Sequence, residues 1–255
     1  MKIKLKTKFP IAFNSPEHLT PFGTRFDQSA NRRFNLNLYR FFSQTHLLKV
    51  LDLGCAGGNF VKDIIDDGHF AIGLEGSDWS KKFKRAAWAQ IPDFLFTCDI
   101  SKKFTVQMDG KPIKFDAVTA WEVMEHIKTE GLPALLKNVK NHLEPAGFFI
   151  ASITSVPHIV DGINLHQTVK SKKWWLKFFN KNGFSQLSGH HDYFDGQFIR
   201  GGKVEKLGEN KQAVFVLSLN PEKAPSIPGK PLIDKLYDRY WHLSKAHKLL
   251  RLLSD

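Results

Sequence analysis

The segment VLDLGCAGGNF, residues 50–60, constrains the fold of this chain more than any other part of it. An apolar run that ends in a glycine-rich turn and continues as a helical pattern is typical of the first strand and helix of a doubly wound α/β sheet. In such a sheet, ligands bind outside the carboxyl ends of the strands. The turn contains small residues that let backbone approach a ligand closely, namely Gly54, Ala56, Gly57 and Gly58. We therefore expect a ligand site at this turn.

Strand and helix patterns alternate from Lys49 onward. The predicted strands are KVLDLG, FAIGLEGS, FLFTCDI, FDAVTAWEV, GFFIASI, 184–188 and 213–219, with a helix over 80–90 between the second and the third. Alternation implies a parallel sheet with helices on both faces. Only a long polar connection separates the last two strands, so the final strand is expected to be antiparallel. The predicted fold class is α/β: a doubly wound, Rossmann-like sheet of seven mostly parallel strands, with helical extensions at both termini.

Composition changes along the chain divide it into three parts. Residues 1–48 are expected to form an N-terminal extension or lid, loop-like at its proline-rich start and helical over 27–42. Residues 49–219 form the ligand-binding domain. Residues 220–255 read as a linker followed by a basic amphipathic helix over 232–253. This helix would pack against the domain, contact a partner chain or lie on an anionic membrane surface.

The charge and the cysteine content restrict the partners and the compartment. The 255 residues carry a net charge of +12, which favours anionic partners such as nucleic acid, lipid surfaces or nucleotide-linked sugars. The basic clusters are short and separated, so no dedicated nucleic-acid arm is predicted. Two cysteines make a disulfide framework improbable, and a cytoplasmic location is expected. No apolar run approaches the roughly 20 residues that span a bilayer.

Three successive predicted strands end in an acidic residue. Asp52 lies in the first strand, Glu75 ends the second about 20 residues downstream of the turn, and Asp99 ends the third. A carboxylate at the end of the second strand suits the two hydroxyls of a ribose. Ala56 interrupts the three-glycine fingerprint of dinucleotide sites, which disfavours a nicotinamide enzyme. The pattern therefore predicts an adenosyl ligand.

The run from Asp52 to Gly58 resembles the Asp-Leu-Gly-Cys-Gly-x-Gly hallmark of class I S-adenosylmethionine-dependent methyltransferases of the broad bacterial small-molecule group, with Ala56 as the departure. The Glu125-His126-Ile127 run resembles the Glu-His-Ile that follows the fourth strand of that family. The likeness extends over 49–219. It implies S-adenosylmethionine as cofactor. The cofactor residues that it implies are Asp52, Gly54, Cys55, Ala56, Gly58, Asn59, Glu75, Gly76, Ser77, Asp99, Ile100 and Trp121. Glu75 would hold the ribose and Asp99 the adenine side.

Histidines at the carboxyl ends of strands are the candidates for a catalytic base. Methyl transfer to a hydroxyl benefits from a general base, and His166 is our first candidate, followed by His126. The segment GHHDYFDG groups His190, His191, Asp192 and Asp195, but adjacent histidines are awkward ligands for one ion, so a polar substrate loop is favoured over a metal site.

The predicted function is methyl transfer to a small-molecule acceptor, with O-methylation of a sugar or glycan precursor as the favoured reaction. Three alternatives stay open. The acceptor could be nucleic acid or protein, which the basic charge favours and the AWEV sequence, in place of an Asn-Pro-Pro-Tyr-like motif, disfavours. The chain could also be a non-catalytic binding module of the same fold, or a nicotinamide oxidoreductase.

Overall fold

The computed structural model describes residues 2–42, 47–194, 196–198 and 212–232. The chain forms two compact units, residues 1–225 and 226–255. Only the first seven residues of the second unit belong to the described part, and they contain little regular structure. Apart from Leu232, the predicted C-terminal helix lies outside the described residues, and so does Asp195.

The described strands and helices alternate through most of the first unit. The strands are β1 (Ile3–Thr7), β2 (Lys49–Leu53), β3 (Phe70–Glu75), β4 (Leu95–Thr97), β5 (Phe104–Met108), β6 (Lys111–Pro112), β7 (Phe115–Trp121), β8 (Leu143–Thr154), β9 (Ile159–Val160), β10 (Ile163–Asn164), β11 (Ser185–Gln186) and β12 (Gln212–Ser218). The helices are α1 (Pro16–Leu19), α2 (Gly23–Phe26), α3 (Arg32–Phe42), α4 (Asn59–Asp66), α5 (Trp79–Lys82), α6 (Leu132–His142), α7 (Lys172–Lys181) and α8 (Ser188–Phe194).

The central sheet has seven strands in the order β11-β12-β8-β7-β2-β3-β4. The neighbours from β8 to β4 pair in parallel, whereas β12 pairs antiparallel with both β8 and β11. This confirms the predicted fold class, including the antiparallel last strand. The strand order reverses between β2 and β7, so their carboxyl ends open the crevice in which doubly wound sheets bind ligands.

Two hydrophobic clusters cover the two faces of this sheet. Alternate residues of β8 divide between them: Phe149 and Ala151 pack on one side, and Phe148 and Ile150 pack on the other. Because both faces are buried, the inner strands are continuously apolar rather than alternating. This explains why short apolar runs were sufficient to locate them in the sequence.

The N-terminus departs from the predicted loop. Residues of β1 pair antiparallel with β5, and together with β6 they form a separate three-stranded sheet. The loop prediction followed the nearby prolines, but IKLKT alternates apolar and basic residues, which is itself a strand pattern. Ile3 and Leu5 are half-buried against the main core, and Lys4 and Lys6, which follow them, are exposed.

The structure differs from three further predictions of secondary structure. Helix α3 begins at Arg32 rather than at residue 27, because the Asn31 side chain accepts the backbone N–H groups of Arg33 and Phe34 and so caps the helix. The helix predicted over 80–90 is interrupted, since Lys84 and Ala86 have positive φ angles. The polar connection before the last strand contains α8, which the sequence analysis treated as a loop.

Candidate functional site

A cavity of about 430 Å³ lies at the carboxyl ends of β2, β3 and β7. Its inner wall is the glycine-rich turn, and its outer wall is residues 9–24, which we call the N-terminal segment. Two backbone hydrogen bonds fix this segment in place: Ala12 donates to Gly76 at 2.9 Å, and Asp99 donates to Phe9 at 3.0 Å. The segment therefore covers the ends of β3 and β4, as a lid would.

Much of the predicted cofactor set lines this cavity, namely Gly54, Ala56, Glu75, Gly76, Ser77, Asp99 and Ile100. The remaining predicted members, which do not line it, are Asp52, Cys55, Gly58, Asn59 and Trp121. Gly58 has a left-handed conformation that leads into α4 at Asn59. Trp121 is buried and packs edge-on against Phe34. These residues support the wall rather than form its surface.

The glycine-rich turn adopts a conformation that restricts its side chains. Gly54 has a φ of +74°, and Ala56, which stands where the hallmark has glycine, also has a positive φ of +45°. The N–H groups of Gly54 and Cys55 both point at the Leu74 carbonyl, at 2.7 and 3.1 Å. The turn thus keeps the backbone conformation that glycine favours, although its sequence departs from the hallmark at Ala56. A left-handed residue that carries a side chain is strained.

Glu75 joins the end of β3 to the turn. Its Oε2 accepts the Ala56 N–H at 2.7 Å, and its Oε1 accepts the Ser77 N–H at 3.2 Å. Burial raises the pKa of this carboxyl, and the two backbone N–H groups oppose that rise. The side chain is thus held at the cavity wall with backbone donors on its flanks.

Asp99 lies at the opposite end of the same wall. Its Oδ1 accepts both the backbone N–H of Ser101, at 3.0 Å, and its hydroxyl, at 2.6 Å. Both bonds use one oxygen, so within the described part of the chain Oδ2 is left for a ligand.

Asp52 lies beneath the turn, inside the sheet. The Thr119 hydroxyl donates to its Oδ1 at 2.7 Å across the β2–β7 pair. Burial raises the pKa of Asp52 to about 7, and the Thr119 bond opposes this. Asp52 does not line the cavity and lies behind its wall.

The end of β7 places a second group of polar residues on the cavity. Glu122 has a φ of +54°, lines the cavity and accepts a hydrogen bond from Gln212. His126 also lines the cavity, on a turn of 3₁₀ helix that spans Met124–His126. Behind them, Glu125 is fully buried, and its Oε1 accepts the Thr154 N–H at 2.8 Å.

The two predicted base candidates contact each other. The His126 and His166 rings lie edge to face with centroids 4.7 Å apart. His166 does not line the cavity, and its Nδ1 donates to the Val156 carbonyl at 2.5 Å, which leaves Nε2 unprotonated in the neutral ring. Burial lowers the pKa of both rings, that of His126 to about 3, so both are neutral at pH 7.

His158 joins this cluster, which sequence reasoning did not predict. Its ring centroid lies 5.4 Å from that of His166 and 4.8 Å from that of Phe22 in the N-terminal segment. The histidine cluster therefore spans the cavity wall and its lid. His158 lies just before the short hairpin of β9 and β10, and nothing in the sequence around it indicates that it packs against His166.

The family comparison decides the identity of the fold. A family model described as a methyltransferase domain matches residues 22–201.

The chain belongs to the methyltransferase domain family.

This family and the fold confirm the resemblance to class I S-adenosylmethionine-dependent methyltransferases seen in the turn and the Glu-His-Ile run. A curated relative, the ubiquinone biosynthesis O-methyltransferase of Neisseria meningitidis serogroup C, is 27% identical over 163 residues. That match covers 62% of this chain, and the chain spans 60% of the length of that relative.

Solved structures show the same methyltransferase fold. An S-adenosylmethionine-dependent methyltransferase from Clostridium acetobutylicum has a TM-score of 0.52 at 15% identity, covering 74% of this chain and 92% of its own. The 1,6-didemethyltoxoflavin-N1-methyltransferase of Burkholderia thailandensis has a TM-score of 0.53 at 14% identity, covering 79% of this chain and 83% of its own. The latter was crystallised with 1,6-didemethyltoxoflavin and S-adenosylhomocysteine.

The histidine pair at 190 and 191 lies on helix α8 of the methyltransferase. His190 hydrogen-bonds to the Pro225 carbonyl at 2.8 Å and stacks on Phe41, while His191 contacts the neighbouring Asp192 at 3.2 Å. Among the described residues, no group of three or more His, Cys, Asp and Glu side chains is arranged to hold a metal ion. The polar substrate loop predicted here is a helix instead, because its Tyr193 and Phe194 pack into the core.

The most informative residue that the sequence analysis missed in this methyltransferase is Glu17. It comes from α1 in the N-terminal segment, lines the cavity and lies 3.9 Å from His126, measured from Oε2 to Nδ1. A Pro-Glu-His-Leu run reads as an ordinary helix start with an acid in its first turn, so only the folded chain reveals that the carboxyl points inward.

The described part of the methyltransferase contains no helix that is both long and apolar enough to cross a membrane.

Proposed function

We propose that this cavity binds S-adenosylmethionine and that the enzyme transfers its methyl group to a hydroxyl of a small-molecule acceptor. The observation that carries the proposal is the buried Glu75 carboxylate, which lines the cavity at the end of β3 beside the glycine-rich turn. Two vicinal hydroxyls of a ribose can donate to such a carboxylate, as in other doubly wound folds.

The residues that line the cavity suit the parts of an adenosyl ligand. Glu75 would accept from the ribose, and Asp99 Oδ2 would accept from the adenine amino group. The turn at Gly54 and Ala56 brings backbone close to the ligand without bulky side chains. Asp52, Cys55, Gly58, Asn59 and Trp121 would act from behind by shaping this wall.

When bound, the cofactor supplies a methyl group attached to a cationic sulfur, which is reactive in itself. The protein's part is to position the acceptor and to remove its proton. His126 suits this role because it is neutral and lies on the cavity wall, and His166 suits it because its Nε2 has a free lone pair. We retain both as base candidates. His126 lines the cavity, whereas His166 lies behind His126 and would need a small rearrangement to contact the acceptor.

The acceptor class that we propose is a sugar or glycan precursor, as predicted from the sequence. A phenolic hydroxyl is the second candidate, favoured by the likeness to an O-methyltransferase named for ubiquinone biosynthesis. Cofactor turnover with a panel of sugars and phenols, compared with bulk RNA and protein, separates these classes. Methylation of RNA or protein alone would contradict the small-molecule proposal.

Cofactor binding is tested by thermal unfolding with S-adenosylmethionine, S-adenosylhomocysteine or NAD. Selective binding to the native state raises the unfolding temperature, so the two adenosyl-sulfur ligands should raise it and NAD should not. Glu75→Ala should weaken both by about tenfold or more, because a charge-assisted hydrogen bond is worth roughly 1.5–3 kcal/mol. Undiminished affinity in this variant would contradict the ribose assignment.

We also propose a cytoplasmic location. Cys55 and Cys98 are both buried free thiols in the structure, as expected for a protein of a reducing compartment. Fractionation of cells that express the tagged protein tests this, and recovery from an extracellular or oxidising compartment would contradict it.

A further inference from the structure

One oxygen of Glu17 lacks a partner in the cavity. Its Oε1 is occupied, accepting the N–H of Phe22 at 2.8 Å and that of Thr24 at 3.0 Å. These bonds fold the N-terminal segment back on itself. Oε2 is buried and makes no hydrogen bond within the described residues. Since leaving a buried carboxylate oxygen unpaired costs free energy, this geometry indicates that a ligand group completes it.

The group that faces Oε2 in the protein does not neutralise it. His126 Nδ1 lies 3.9 Å away and is itself without a hydrogen bond among the described residues. Burial lowers the pKa of His126 to about 3, so the ring carries no charge at pH 7. Burial raises the pKa of Glu17 to about 7, with a smaller contribution from the like charge of Glu75 on β3, and the N–H groups of Thr24 and Phe22 oppose this rise. Within the described part of the chain, no cationic side chain pairs with Glu17 Oε2.

The residues that line the cavity likewise include more acidic than basic side chains. Its acidic lining residues are Glu17, Glu75, Asp99, Glu122 and Glu130, against the basic Lys102 and Lys128. The chain as a whole has a net charge of +12. The excess of acidic side chains around the cavity favours a cationic ligand there, although the chain as a whole is basic.

We propose that Glu17 Oε2 pairs with the cationic sulfur of S-adenosylmethionine, so that the N-terminal segment distinguishes the cofactor from its product, whose sulfur is uncharged. The inference rests on the proposed function of the cavity. S-adenosylhomocysteine lacks the methyl group and has a neutral thioether at the same position, whereas the rest of the ligand, including its α-ammonium group, is the same. Glu17 would thus hold the segment closed over the cofactor and favour release of the product, for which the pairing is lost.

The test compares the affinities of the two ligands by isothermal titration calorimetry, which needs no acceptor. In Glu17→Gln, the amide oxygen still accepts the Phe22 and Thr24 N–H groups, so the fold of the segment is retained while the charge is removed. We expect the affinity for S-adenosylmethionine to fall by about tenfold or more, as for loss of a charge-assisted contact, and that for S-adenosylhomocysteine to change less than threefold. The matched control is Glu222→Gln, which removes an exposed carboxylate outside the cavity and should change neither.

The outcomes separate this inference from the proposed function. If the wild-type protein binds neither ligand, the proposed function fails. If it binds both, and Glu17→Gln weakens both equally or neither, the cofactor site stands and the pairing with sulfur is overturned.

A second measurement requires no variant. Glu17 ionises as the pH rises through about 7, so the ratio of S-adenosylmethionine to S-adenosylhomocysteine affinity should increase from pH 6 to pH 8. Among the described residues, the titratable side chains that interact with Glu17 are Glu75 and His126, and His126 stays neutral throughout this range. A ratio that is constant over this range would overturn the inference even if Glu17→Gln failed to fold.

Discussion

At the scale of single residues, the glycine-rich turn shows how backbone conformation and side-chain space act together. Gly54 and Gly68 both have left-handed φ angles, of +74° and +83°. A Cβ atom on Gly54 would lie 2.3 Å from Val123 Cγ2, whereas one on Gly68 would meet nothing within 4 Å. Gly54 is therefore required both for its left-handed backbone and for lack of space for a side chain, whereas Gly68 is required only for its left-handed backbone.

Gly54→Ala should destabilise the protein more than Gly68→Ala does. The left-handed backbone alone costs about 1 kcal/mol for an alanine, which is the expected loss at Gly68. At Gly54, displacement of Val123 adds roughly 1–3 kcal/mol. Urea unfolding of both variants measures the difference. Equal losses would show that Val123 moves aside freely.

Asp52→Asn should alter the pH dependence of stability. The pKa of Asp52 is about 7 in the folded protein against 3.8 ordinarily, so between about pH 4 and pH 7 the folded state binds more protons than the unfolded state. The free energy of unfolding then falls as the pH rises through this window, by about 1.4 kcal/mol per pKa unit. The asparagine variant should show a flatter profile in denaturant titrations at pH 4 to 7. Asp93→Asn, at an exposed position, serves as the control and should leave the profile as it is.

At the scale of elements, helix α7 illustrates how two adjacent tryptophans can differ in burial. Ser171 caps the helix by accepting the Trp174 N–H at 3.3 Å. Trp175 is fully buried against the core, near Phe179, while Trp174 is partly exposed and stacks on Phe178 with centroids 5.2 Å apart. Neighbouring positions on a helix point in different directions, so one tryptophan of the pair is fully buried and the other packs at the edge of the core.

Trp175→Ala should lower the free energy of unfolding by about 3–5 kcal/mol, because it empties a large volume in the core. Trp174→Ala should lower it by roughly 1 kcal/mol, since its ring is already partly in contact with water. Chemical denaturation of both variants checks the order. A larger loss at Trp174 would contradict the packing described for α7.

At the scale of the whole molecule, the N-terminal segment links the small sheet to the main one. Strand β1 anchors it on β5, and backbone bonds from Ala12 and Asp99 attach it across β3 and β4. The cavity is consequently formed by parts of the chain that are far apart in sequence. A ligand bound there would contact both the N-terminal segment and the ends of the main-sheet strands, and would stabilise their contact.

Saturation with S-adenosylmethionine should slow amide hydrogen exchange in the N-terminal segment. The amides of Ala12 and Asp99 are expected to exchange more slowly, because opening of the segment requires the ligand to dissociate. The amide of Ile113, which bonds to Val106 on the β5 side, serves as an internal reference. Unchanged exchange at Ala12 and Asp99, with ligand bound, would show that the segment is not the lid.

The cavity-lining residues that could be predicted from the sequence are those whose positions follow from the order of strands and turns. The apolar run before Gly54 and the acids at Glu75 and Asp99 lie at strand ends, and parallel strands necessarily bring those ends to one edge. Helix ends were less predictable: α3 begins where Asn31 caps it, and its start depends on one side-chain hydrogen bond. Strand β1 was missed because its partner, β5, lies about a hundred residues away.

The sequence by itself determined the fold class and the acid-lined end of the sheet, because periodicity and strand-end chemistry are local properties of the chain. Only the tertiary structure decided that Glu17 joins His126 at the cavity, that His158 packs against His166, and that Asp52 lies behind the cavity wall. The direction in which a loop side chain points depends on long-range contacts, here those that fold the N-terminal segment over β3. Such contacts leave no periodic trace in the sequence.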